Sequence, residues 1–112
     1  MPNYSHIYLL TLINWKETKT MKVENITSSR GNKVANQFII INNDGYEYFQ
    51  SYSSMIARKP IGFREGKIEL DQKYWNYSNT TGKYRNIFLG ETIKDTKAKI
   101  KSGEYILTDL NK

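Results

Sequence analysis

The most definite pattern in the chain is a short apolar run, a turn and a second strand-like run. Residues 36–42 (Asn-Gln-Phe-Ile-Ile-Ile-Asn) are rich in β-branched side chains, and Asn43-Asp44-Gly45 separates them from 46–52. Asp-Gly between two β-prone runs predicts a hairpin, because the turn residues must tolerate positive φ. In the second strand a period of two places Tyr46, Tyr48, Gln50 and Tyr52 on one face, with Glu47, Phe49 and Ser51 on the other. The first set forms a tyrosine ladder and is a candidate binding surface. Residues 53–57 either continue this strand or turn away from it. The stretch 58–66, with Pro60, Gly62 and Gly66, reads as a loop, and 67–70 as a third strand. Upstream, 27–33 is polar and without periodicity, an exposed loop.

The period changes after residue 70. Residues 71–77 begin as a short helical turn capped by Asp71, and 78–82 interrupt it. Thr80 or Thr81 is a natural N-cap for a following helix in which Tyr84, Ile87 and Phe88 form a stripe at i, i+3, i+4, with Gly90 as its stop. Thr92-Ile93-Lys94-Asp95 resembles a capping box with Asp in the place of Glu. Ile93 and Ile100 share one side of that helix, Lys94, Lys97, Lys99 and Lys101 dominate the rest, and Ser102-Gly103 ends it. Residues 104–110 read as a last strand. These elements predict an α+β domain over 21–112: a small antiparallel β-sheet, made of the hairpin plus one or two strands, packed against two short C-terminal helices. Residues 1–20 stand apart, with an apolar run at 7–13 and a polar run at 16–20 before Met21. They read either as a docking strand or helix, or as an extension ahead of a start at Met21.

Composition narrows the chemistry. A chain of 112 residues has the usual size of one domain. It contains no Cys, which removes disulfides, thiolate nucleophiles and Cys-type zinc sites and fits a reducing, cytoplasmic compartment. There is one His, His6, so no triad or dyad built on His and Cys is available. The 7–13 run is broken by Tyr8 and Thr11 and is far shorter than the roughly 20 residues of a membrane span. It also lacks the flanks of a secretory signal. Glu65, Glu69 and Asp71 are close enough in sequence to raise a hydrolytic or magnesium site, but Asp71 serves better as a cap and the others as a solvated strand end. No Gly-rich phosphate cradle is present. The expectation is a protein that binds rather than catalyses, with no metal and no cofactor.

The net charge is +6 and the pI near 9.5, which favours anionic partners. Nine Tyr and two Trp exceed what so small a core needs, and Tyr serves interfaces and base stacking. Cations and aromatics are mixed in Lys73-Tyr74-Trp75-Asn76-Tyr77 and in Lys83-Tyr84-Arg85, groups that hold phosphate while a ring stacks on a base. Trp75 and Tyr84 serve the core equally well. If the two helices lie side by side, Lys83 and Arg85 join Lys94, Lys97 and Lys101 in one basic patch. Candidate partner-binding residues are therefore Tyr46, Tyr48 and Tyr52 on the strand, and Tyr77, Lys83, Arg85, Lys94, Lys97 and Lys101 in the helical region.

The blocks 77–89 (Tyr-Ser-Asn-Thr-Thr-Gly-Lys-Tyr-Arg-Asn-Ile-Phe-Leu), Glu91-Thr92 and 99–105 (Lys-Ile-Lys-Ser-Gly-Glu-Tyr) resemble a family of small proteins without an established activity, encoded in bacteriophages and related mobile elements. Ser29-Arg30-Gly31-Asn32-Lys33 and Tyr48-Phe49-Gln50-Ser51-Tyr52 are similar too. The resemblance runs from Met21 to the C-terminus and carries no catalytic residues. It implies a phage accessory protein that acts by binding in the cytoplasm of an infected bacterial host. The expected role is a non-enzymatic counter-defence inhibitor of the anti-CRISPR kind, directed at a host nuclease or nucleoprotein complex such as a CRISPR effector with its guide RNA. The alternative is a small nucleic-acid-binding accessory or regulatory protein. Positive charge disfavours mimicry of DNA and favours a grip on RNA, an acidic protein face or a moving domain of an effector. Exposed sheet edges fit a homodimer as well as a monomer.

Overall fold

In the computed structural model, which describes residues 21–112, six strands lie in chain order across one sheet. They are β1 (Lys22–Thr27), β2 (Lys33–Ile41), β3 (Tyr46–Ser51), β4 (Ser54–Pro60), β5 (Glu69–Asp71) and β6 (Ile106–Thr108). The helices α1 (Asn79–Leu89) and α2 (Ile93–Ser102) connect β5 to β6. Pairings from β1 to β5 are antiparallel, and β6 joins β5 in parallel. A parallel neighbour needs a crossover, which the two helices provide. The α+β expectation is met, with more strands than the sequence pattern announced. The readings of residues 1–20 lie outside the described residues.

The hairpin forms between β2 and β3 for the reason its sequence gives. Gly45 takes φ 86°, the Tyr46 amide donates to Asp44 Oδ1 at 2.9 Å, and the Asn42 amide donates to the Tyr46 carbonyl at 3.1 Å. The next hairpin turns on Tyr52 and Ser53, so 54–60 is a strand of its own and Arg58, Lys59 and Pro60 belong to β4 rather than to a loop. A shift of register between Phe49 and Gln50 leaves Ile56 and Ala57 both buried, which hides the period of two. β1 was masked in the same way by an irregularity between Asn25 and Thr27.

The core lies on one face of the sheet. Phe49, Ala57 and Leu70 are in register there and meet Phe88 of α1, with Phe49 and Phe88 ring centroids 5.9 Å apart. Ser51 Oγ lies 3.0 Å from Thr81 Oγ1 on the same face. Turned toward this face, α1 buries Thr81, Arg85 and Phe88, whereas Ile87 is 52% exposed, so the expected stripe is displaced by part of a turn.

The helix ends are set by their caps. Ser78, not Thr80 or Thr81, is the N-cap of α1, its Oγ accepting from the Thr81 amide at 3.1 Å. Gly90 and Gly103 close the two helices at φ 69° and 85°, and Thr92 with Asp95 forms the expected capping box. Asp71 does more than cap the 71–77 turn. Its Oδ2 accepts from the Lys73 and Tyr74 amides, and its Oδ1 accepts from the Leu110 amide at 2.9 Å, so one buried carboxylate ties three segments together. Burial alone would raise its pKa; these hydrogen bonds outweigh it and hold the carboxyl below its ordinary value. Among the described residues no helix is long and apolar enough to cross a membrane.

Candidate functional site

The tyrosine strand is not the open ladder expected. Tyr46 is buried, with the Arg58 guanidinium 3.9 Å and the Arg64 guanidinium 4.6 Å from its ring centre. Tyr48 donates to Asp44 and accepts from Arg58 Nη1 at 3.1 Å, while Arg58 pairs with Glu69 at 2.7 Å. Burial, and then the bond to Asp44, raises the Tyr48 phenol. These groups consume one another's hydrogen-bonding capacity, and the cluster holds the sheet face opposite Phe49. Tyr52 lies outside β3, in the turn, with φ 56° and 52% exposure. Of the three strand tyrosines only Tyr52 offers its side chain freely to a partner.

A second arrangement sits at the N-terminal end of α1. An open pocket of about 320 Å³ is lined by Asn76, Ser78, Gly82, Lys83, Arg85 and Ile93, with Asn79 and Asn86 beside them. Two of the predicted cations, Lys83 and Arg85, thus meet, and they do so against the first residue of α2. Their environments differ. Lys83 is exposed, whereas Arg85 is 1% exposed, contrary to its assignment to a solvated basic patch. The physical reason is its spacing: Arg85 follows Thr81 by four positions and precedes Phe88 by three, so it shares their inward face.

Burial of Arg85 is supported by neutral acceptors. Its Nη1 donates to the Trp75 carbonyl at 2.8 Å and to Asn76 Oδ1 at 3.2 Å, and its Nη2 donates to Asn86 Oδ1 at 2.9 Å. The guanidinium lies 5.4 Å from the Trp75 ring, which settles Trp75 as a partly buried packing residue. Nε has no acceptor among the described residues. Burial lowers the Arg85 pKa, opposed by the charge of Glu91. Glu91 is itself committed: its oxygens accept from Lys99 at 2.7 Å, Thr96 at 2.6 Å and Tyr105 at 2.8 Å. Among the described residues no carboxylate lies within ion-pair distance of the guanidinium.

Lys94, Lys97 and Lys101 are exposed on α2, and, with Lys83, none has a carboxylate partner among the described residues. Lys97 and Lys101 follow Ile93 at i+4 and i+8, so they continue from the pocket along one side of the helix. Lys99, by contrast, is spent on Glu91. Tyr77 lies in sequence between two pocket residues, is 50% exposed and packs edge-on to Tyr74 at 5.5 Å. The site also uses Asn76, Asn79 and Asn86, which sequence reasoning did not single out; an Asn in a turn, in a first helical turn or late in a helix carries no signal of its own beyond capping. Of the three carboxylates weighed for metal chemistry, Glu69 is engaged with Arg58 and Asp71 with three backbone amides, while Glu65 is exposed.

A recessed guanidinium held by neutral acceptors, an exposed ammonium at the rim and further lysines along one helix give this part of the surface a positive character. No curated protein and no solved structure matches the chain. Residues 21–106 match DUF8033, described as a family of unknown function, and the chain belongs to that family.

Proposed function

We propose that this protein is a non-enzymatic binding module whose helical layer grips the phosphate backbone of nucleic acid, above all RNA held in a nucleoprotein. The observation that carries the reading is the set of four exposed lysines without a carboxylate partner among the described residues, Lys83, Lys94, Lys97 and Lys101, at the α1 pocket and along α2, with the Lys83 ammonium 5.3 Å from the Tyr84 ring centre. Lysines in such a row contact successive phosphates without reading sequence. Tyr77 adds an exposed ring of the kind on which an unpaired base stacks. Saturation of the buried carboxylates of Asp71 and Glu91 by hydrogen bonds supports binding over acid–base chemistry.

The finer reading adds the resemblance to phage proteins: the partner is a host-defence nuclease complex, and the module inhibits it by holding its guide RNA. The sign of the charge favours that over mimicry of DNA. The test is fluorescence anisotropy with short single-stranded RNA and DNA at low salt, beside capture of partners from a bacterial host lysate. Binding is expected to weaken at least about tenfold in Lys97→Glu with Lys101→Glu, since each lost phosphate contact is replaced by repulsion. Unchanged binding would show that the lysine row is merely solvated. An RNase-sensitive nuclease complex in the capture is the result expected of the finer reading, and its recovery after RNase treatment would overturn the RNA grip.

A further inference from the structure

Resting on the nucleic-acid reading, we propose that the pocket at the α1 N-terminus is a subsite for a 5′-phosphate, the monoester end of a strand or of a free nucleotide. The pocket contains the means to hold a dianion. Arg85 lines it and is almost wholly buried; among the described residues no carboxylate is in contact with it, Glu91 acting only at a distance, its Nε has no acceptor, and Nη2 meets one acceptor for two N–H groups. A single buried charge of this kind is unfavourable unless compensated. If its task were only to pin the 75–76 turn to α1, a neutral donor would do so without that cost. Lys83 supplies a second cation at the rim.

The backbone adds to this. Ser78 satisfies the Thr81 amide, but the first-turn N–H groups of Asn79 and Thr80 have no carbonyl partner within the helix. With the helix dipole they favour a negative group at this end. The Asn76 and Asn86 amides, whose oxygens accept from Arg85, keep their NH2 groups as donors, and the Asn79 amide offers both a donor and an acceptor, for the sugar or base that follows the phosphate.

A strand end fits better than an internal phosphate. The guanidinium is recessed, so a phosphodiester could approach it only by folding both flanking nucleotides into the opening. A monoester has one attachment and three free oxygens. The volume, about 320 Å³, is at the lower end for small-ligand sites and suits one nucleotide.

The experiment compares 3′-labelled RNA of one sequence carrying a 5′-phosphate or a 5′-hydroxyl, with AMP and adenosine as competitors. The 5′-phosphate strand is expected to bind about tenfold tighter, the scale of charge-assisted hydrogen bonds. That preference should vanish in Lys83→Ala and in Gly82→Ala. Gly82 lines the pocket and has ordinary helical φ, and an added Cβ would stand in van der Waals contact with the guanidinium, 3.6 Å from Arg85 Nη2 and 3.7 Å from Nη1. Because alanine favours the helix, Gly82→Ala should lose the preference while its melting temperature holds or rises, which separates binding from folding. Equal binding of both strands overturns the subsite and leaves the lysine-row reading standing. Binding of AMP but of neither strand supports the subsite with a free nucleotide as its ligand and overturns the nucleic-acid reading. Binding of none of these overturns both.

Discussion

Gln37 carries a complete amide into the interior, and neither its oxygen nor its nitrogen finds a partner among the described residues. It lies opposite Ser51 in the β2–β3 register, beside the Ser51–Thr81 hydroxyl pair that joins the sheet to α1. An unsatisfied buried polar group costs about 1–3 kcal/mol. Leucine has nearly the same volume and no polar atoms, so Gln37→Leu should stabilise the fold by about 1 kcal/mol or more. Urea unfolding reads this as a higher midpoint at unchanged slope; a lower midpoint would mean that ordered water already satisfies the amide. Arg85 presents the opposite situation at the same scale. Three neutral acceptors hold its guanidinium, so its charge is oriented without being cancelled. That is the arrangement expected of a residue kept for a ligand rather than for stability.

At the scale of elements, the α1–α2 corner is built around Glu91. Its carboxylate joins Thr96 and Lys99 of α2 to Tyr105, just before β6, and its side chain is almost fully enclosed. Burial pushes its pKa up, but the hydrogen bonds from Lys99, Thr96 and Tyr105 win and the folded carboxyl titrates below its ordinary value. The Tyr105 phenol, buried and bonded to Glu91, is pushed up to about 12. A depressed carboxyl favours the folded state above its unfolded pKa, about 4.3, and that contribution disappears as pH falls through the folded value. Glu91→Gln should therefore cost about 1–3 kcal/mol at pH 7, and the gap between the two proteins should close below about pH 4.3. Parallel stability curves across that range would remove Glu91 as the source.

The corner also shows how much the sequence carried. Its capping box and glycine stops obey local rules that six or seven residues state in full, as does the Asn43-Asp44-Gly45 hairpin. β1 and β4 were illegible because their register shifts break the period of two, and such shifts are decided by neighbouring strands. The site was half legible for a related reason. Lys83, Lys94, Lys97 and Lys101 remain exposed as their types suggest, but Tyr46 and Arg85 found partners distant in sequence, Arg58 and Arg64 for the one and the 75–76 turn for the other. Arg85 could have been found from its spacing to Thr81 and Phe88 alone.

For the whole molecule, what decides the binding mode is where cations are already neutralised. On the open sheet face Arg58 is paired with Glu69, and both Arg58 and Arg64 are held against the Tyr46 ring, so their guanidiniums are already engaged within the sheet. In the helical layer Lys83, Lys94, Lys97 and Lys101 are exposed and have no carboxylate partner among the described residues. A nucleic acid should thus meet the helices edge and leave the sheet untouched. If all four lysines contact phosphate, released counterions give a plot of log K against log salt with a slope of roughly −3 for a single strand. Lys97→Glu with Lys101→Glu should halve that slope, whereas Arg58→Gln, on the other face, should weaken the fold without altering it. Anisotropy titrations over a series of salt concentrations measure both. A slope near zero for the wild-type protein would place the binding energy in contacts other than phosphate, and a slope that falls equally in the Arg58 variant would deny the helical layer its special role.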